Sequence, residues 1–209
     1  MTATSNLSLA QTLATAFLPA AAGALAVVGC QTSATAAGHS HKPPAKIPPV
    51  RLAAARQAPA GWHHLAMPGG KAVLAFPPSM HRISGDRGTA TAARFTASGR
   101  YLLYLNATPK QNTETLADWP DFRIDHLTDE DATTARLLAA SHHVRFVGGT
   151  GTCVIDSYVT KIDANHYTEL ACFVQGRTSS SVIIAAAPTA DWPNESATLM
   201  RAVAAYRVR

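Results

Sequence analysis

Charge is missing from the start of this chain. Residues 1–41 contain no lysine, arginine, aspartate or glutamate, although the sequence holds 18 basic and 13 acidic residues. Over the whole chain charged residues reach 15%, against roughly 25% in ordinary soluble proteins. Cysteine is also scarce, with three in 209 residues. That excludes a disulfide-dense small scaffold and a multi-cysteine metal cluster. The apolar stretch from Phe17 to Gly29 covers 13 residues, short of the roughly 20 that cross a bilayer as a helix. There is no Lys/Arg-rich run and no nucleic-acid motif. The net charge of +5 therefore favours anionic surfaces in general without arguing for nucleic acid. The sequence has no G-x-S-x-G elbow, H-E-x-x-H, P-loop or dinucleotide fingerprint, so no familiar catalytic class announces itself.

What stands at the start instead is an address. The apolar stretch ends in Val27-Val28-Gly29-Cys30. An apolar residue and small residues before a cysteine resemble the lipobox of bacterial lipoproteins. The resemblance implies a signal peptide over 1–29, removal of that peptide, and a lipid on Cys30. One feature departs from the pattern: a signal peptide's first segment is normally basic. A different start codon, or a longer membrane anchor from near Leu7, would also account for the segment. Residues 30–59 hold Pro43-Pro44, Pro48-Pro49 and many Ala, Ser and Thr. Such composition cannot bury enough surface to offset ordering entropy, so it predicts a flexible tether. His39 and His41 within it make at most a weak metal site.

From residue 60 to 209 the pattern is that of one folded domain. Short strands are expected over Trp62–Met67, Lys71–Phe76, Thr91–Thr96 and Tyr101–Ala107. A helix is expected after Asp118, and a second one restarting at Thr128 with Asp129, Glu130 and Asp131 in its first turn. Four further strands follow over Val144–Val147, Thr152–Ile162, Tyr167–Gln175 and Ser180–Ala187. A final helix begins at Asp191-Trp192-Pro193 and carries Leu199, Met200 and Val203 at helical spacing. Ala-Asp-Trp-Pro occurs at 117–120 and again at 190–193, which reads as repeated capping chemistry. This order predicts an α+β domain with a largely antiparallel sheet.

With these elements in place, the domain resembles the PsbP/Mog1-like family, in particular its actinobacterial lipoprotein members. The resemblance rests on Gly61-Trp62, the Phe76-Pro77-Pro78 strand end, and the hairpin with Tyr158 and Tyr167-Thr168-Glu169. It rests also on the ending of Ala-rich strand, Asp191-Trp192 and amphipathic helix. It implies an α–β–α sandwich around a central antiparallel sheet. It also implies a non-catalytic binding or assembly role, with no catalytic motif to carry over.

Alternation across the turn at Asp163-Ala164-Asn165 places Cys153 and Cys172 on one face of neighbouring strands, and export permits a disulfide between them. The same register opposes Asp156 to Glu169 and Tyr158 to Tyr167 on the other face. Directly opposed carboxylates need compensation, from Lys161, Arg177, a bound cation or a partner surface. His63-His64 and His142-His143 are strand neighbours pointing to opposite faces and so are expected as surface residues. The expectation is a monomeric lipoprotein of the envelope, anchored at the outer face of the cytoplasmic membrane. It binds a protein or another envelope component and needs no cofactor, metal or nucleic acid. The competing reading is an extracytoplasmic hydrolase with a dispersed site, which an organised polar cluster in a concave pocket would favour.

Overall fold

A computed structural model describes residues 46–110 and 113–209. Cys30, the signal peptide, and His39 and His41 lie outside the described residues. Two short strands come first, β1 His63–Ala66 and β2 Ala72–Phe76. Three more follow: β3 His81–Ile83, β4 Ala90–Phe95 and β5 Tyr101–Pro109. Helix α1 is Trp119–His126. The meander β6 Ala132–Phe146, β7 Gly149–Thr160, β8 His166–Gly176 and β9 Ser180–Pro188 leads into α2 Trp192–Ala204 and the two-residue strand β10 Arg207–Val208.

Seven strands form the main sheet in the order β3-β4-β5-β9-β8-β7-β6, antiparallel throughout. A second sheet, β1-β2-β10, is also antiparallel. Successive side chains on a strand point to opposite faces, and here each face packs against one helix. On one face Leu103, Cys153, Leu170 and Ile183 pack with Leu199, Val203 and Tyr206 from α2 and its end, and with Leu74 from β2. On the other, Val154, Ala171 and Phe173 pack under Trp119 of α1. The helices therefore lie on opposite sides, and the fold is the expected α–β–α arrangement. Each fully buried Leu or Ile contributes on the order of 1.5–3 kcal/mol by leaving water. Tyr206 is buried as well and meets its polar need through a 2.7 Å hydrogen bond with the Ser181 hydroxyl.

The β7–β8 pairing has the register read from the sequence: Cys153 opposite Cys172, Asp156 opposite Glu169, Tyr158 opposite Tyr167. Cys153 and Cys172 are joined as a disulfide, with Cα atoms 4.0 Å apart.

The structure corrects the region after α1. No helix restarts at Thr128. Leu127–Asp131 make one wide, π-type turn, and the chain enters a fifteen-residue strand at Ala132. The segment expected as a separate strand at Val144–Val147 largely belongs to its far end. Alanine and leucine in this stretch favour a helix locally, but pairing along β7 overrides that preference. Bulges after Ala132, Leu137 and Ser141 interrupt the alternation that would otherwise mark a strand. Asp118 also differs from expectation. Its carboxylate does not cap α1 but accepts from the Thr115 N–H at 2.7 Å, bracing the preceding loop.

Residues 47–59, expected as tether, have no regular secondary structure, yet part of the stretch is fastened to the domain. Val50 joins the main core, and its N–H donates to the Ser141 hydroxyl at 2.9 Å. Ala140 N–H donates to the Pro48 carbonyl, and Arg56 N–H to the Ala204 carbonyl. The packed unit thus takes in residues before 60, including Pro48, Val50 and Arg56. At the other end, the Gly148 turn touches the last strand: φ is 89°, and an added Cβ would lie 2.0 Å from the Val208 carbonyl oxygen.

Candidate functional site

Strand register lays out the α1 face as rows. One row runs Leu137, Asp156, Glu169, Ala186, Tyr104 across β6, β7, β8, β9 and β5. The next runs Ala135, Tyr158, Tyr167, Pro188. Asp156 and Glu169 are therefore direct neighbours, with exposures of 0% and 1%. Weighed from the sequence as a cation site or partner surface, both carboxylates lie beneath α1.

Their compensating charge is Arg123, itself 7% exposed. Its Nε donates to Glu169 Oε1 at 2.8 Å, and Nη2 lies 2.5 Å from the same oxygen. Burial opposes the Arg123 charge, but Glu169 and then Asp156 outweigh it, and the guanidinium is held above its ordinary value. Lys161, the candidate from the sequence, is used elsewhere: its ammonium donates to the Asp129 and Glu130 carbonyls. Both Asp156 carboxylate oxygens are buried without a hydrogen-bond partner. Burial raises the Asp156 pKa well above the usual carboxylate value. Glu169 adds to this and Arg123 opposes it.

Trp119, Arg123 and Leu127 are all buried, and they recur every fourth residue, the spacing of one helix face. That periodicity was the signal in the sequence for a buried arginine. It is easily passed over because the stripe's middle member is charged.

Helix α1 has eight residues and contacts β6, β7 and β8. A helix roughly 10 Å across roofs only two or three strands spaced about 4.8 Å apart. The same face is left uncovered over β5 and β9, and the gap is a cavity of about 490 Å³. Its floor is Tyr104 and Asn106 of β5 with Val182, Ile184 and Ala186 of β9. Asn106 is fixed from behind by the Thr91 hydroxyl, 3.0 Å from its Oδ1. Phe122, Arg123 and His126 of α1 form one wall, Tyr158 and Tyr167 another. The rings are packed: Tyr158 on Tyr167 at 5.8 Å, Phe122 on His126 at 5.8 Å, Tyr101 against Tyr104 at 5.4 Å. Asp86, Glu130 and Asp131 also line it, and His126 Nδ1 lies 3.7 Å from Glu130. Burial raises the Tyr104 phenol above its ordinary range, and Tyr101, Asp86, Glu169 and Asp131 push the same way.

Glu169 lines this cavity, whereas Asp156 lies behind its wall. The disulfide is on the opposite face. His63, His64, His142 and His143 are exposed, and His142 Nδ1 lies 3.3 Å from the Thr152 hydroxyl of β7. Among the described residues no group of three or more His, Cys, Asp or Glu is placed to hold a metal ion.

No known family profile matches the chain, and no curated protein does. Solved structures do match. The solution structure of cyanobacterial PsbP from Synechocystis superposes with a TM-score of 0.51 at 12% identity, covering 73% of this chain and 95% of that one. A Pseudomonas aeruginosa protein of unknown function gives 0.45 at 10% identity, covering 69% and 95%. A Bacteroides thetaiotaomicron protein gives 0.44 at 12% identity, covering 70% and 48%. The class of protein that follows is an α+β domain with two helices on a large antiparallel sheet. The particular fold is PsbP-like, and that assignment rests on the first of these structures. Fold alone does not carry function.

Proposed function

We propose that this chain is an envelope lipoprotein of the PsbP/Mog1-like type, held to the outer face of the membrane by a lipid on Cys30. Its single domain binds a partner without transforming it, and the binding site is the cavity over β5 and β9. The carrying observation is that cavity: a half-open, ring-lined space of about 490 Å³, within the range of small-ligand sites. Its polar side chains give some support to the hydrolase reading. Their pairing favours binding. The buried Arg123 is bound to Glu169, and the carboxyl with the strongly raised proton affinity, Asp156, stands behind the wall where a substrate would not touch it. Thr108 is the only aliphatic hydroxyl among the described lining residues, and no base is bonded to it to make a nucleophile.

Two measurements test this. Mass spectrometry of the membrane fraction is expected to find a chain beginning at an acylated Cys30; an uncleaved chain with an unmodified thiol rejects the anchor. Photo-crosslinking in intact cells from a probe amino acid at Phe122 is expected to capture a discrete species. Equal capture from a probe at Ser179, remote from the cavity, rejects it as the binding site.

A further inference from the structure

The lining of the cavity is out of character with the rest of the protein. The chain carries a net +5, yet the carboxylates of Asp86, Glu130, Asp131 and Glu169 line the cavity against one guanidinium, Arg123. That guanidinium is engaged with Glu169 and is not available to receive a ligand's anionic group. Four of the five tyrosines line the same space: Tyr101, Tyr104, Tyr158 and Tyr167. Tyrosine faces carry negative quadrupole potential and attract cations, most of all where water is excluded. Below the wall, among the described residues, Arg123 is bonded to Glu169 alone.

We propose, building on the cavity as the binding site, that its ligand is an organic cation: an amine, quaternary ammonium or guanidinium on a short carbon body. The body lies on Val182, Ile184 and Ala186, and the cationic end sits among the tyrosine rings and the carboxylates of Asp86, Glu130 and Asp131. An anionic ligand is disfavoured because it would meet these carboxylates, and the one guanidinium among the described lining residues is already engaged with Glu169. The cationic group can come from a free small amine or from a lysine side chain of a partner protein.

The test is calorimetric titration of the full chain in detergent with five probes: agmatine, choline, a blocked Gly-Lys-Gly tripeptide, sorbitol and succinate. Agmatine or choline is expected to bind, while succinate and sorbitol do not. The double substitution Glu130→Gln/Asp131→Asn is expected to weaken binding about tenfold, the size of losing two partly screened charge contacts. Raising the salt concentration weakens it in the same direction. Binding of the tripeptide more tightly than agmatine assigns the cation to a protein partner; the reverse assigns it to a free amine. Ala186→Phe, which fills the floor, is expected to abolish binding, and the charge-neutral pair provides the second variant if that one folds poorly. Sorbitol or succinate binding that Ala186→Phe abolishes, with no cation binding, overturns the ligand class and leaves the cavity as a binding site. Absence of binding by all five probes overturns both.

Discussion

Arg123 is the side chain on which the α1 face depends, and Arg123→Met is the perturbation that measures it. Methionine keeps the apolar length of the stem and removes the charge. The structure then retains two opposed carboxylates, Asp156 and Glu169, at 0% and 1% exposure, without the cation bonded to Glu169. Removing one partner of a buried pair typically costs about 3–5 kcal/mol, because the remaining charge is buried uncompensated. For a domain of this size that is a fall in Tm of about 6–20 °C. The sign of the pH dependence is fixed by Asp156. Its folded pKa is already raised by burial and by Glu169, with Arg123 opposing, so deleting Arg123 raises it further. Stability contributed by a raised carboxyl is complete below its unfolded value of about 3.9 and is lost as pH rises toward the folded value. The deficit of Arg123→Met is therefore larger at pH 8 than at pH 5. Urea unfolding of the full chain at both values provides the assay. Adding Glu169→Gln to Arg123→Met is expected to recover much of the loss. A cost below about 1 kcal/mol, or a deficit that does not change with pH, refutes the reading of a buried, charge-compensating arginine.

Three further predictions concern other parts of the molecule. Asp156→Asn removes a buried carboxyl whose raised pKa makes its ionised form unfavourable. The variant is expected to be more stable than the natural chain at pH 8, by about 1 kcal/mol or more, with the advantage shrinking toward pH 4; a less stable variant at pH 8 contradicts this. Replacing both Cys153 and Cys172 with alanine opens a loop with a sequence separation of 19. By the chain-entropy argument it costs on the order of 3 kcal/mol, read as a lower denaturant midpoint with the fold intact by circular dichroism. A fragment starting at residue 60 lacks Val50 and the hydrogen bonds to the Ala140 N–H, the Ser141 hydroxyl and the Ala204 carbonyl. It is expected to unfold at lower denaturant than one starting at residue 46, and equal midpoints would show that the 47–59 stretch adds nothing.

Local alternation explains why the β7–β8 hairpin was legible. Cys153 to Tyr158 and Tyr167 to Cys172 each alternate cleanly around one turn, and that fixes the disulfide and both opposed pairs. Strand β6 was not legible, because its three bulges break the period and its Ala-Leu composition mimics a helix. Strands β3 and β10, with three and two residues, are too short for any period to show. The Asp156–Glu169 neighbours were placed correctly, but their partner was sought on the same hairpin, in Lys161 or Arg177. It comes from α1, across a distance that no sequence pattern encodes. The cavity was illegible for a similar reason: it depends on how far an eight-residue helix reaches across seven strands.

The order of strands has one more consequence. In the main sheet β3, β4 and β5 are consecutive, and so are β9, β8, β7 and β6; only the β5–β9 junction joins segments distant in the chain. Tyr104 and Ala186 meet there with α1 and three whole strands between them in sequence. That junction carries the entropic burden of closing a long loop, so it is the slow contact in assembling the sheet. The cavity floor straddles it, Tyr104 and Asn106 on one side, Val182, Ile184 and Ala186 on the other. A molecule seated there touches both halves at once and acts as a clasp across the seam. Its binding energy adds to the cohesion of the late-joining halves, and its loss is felt first as parting between β5 and β9.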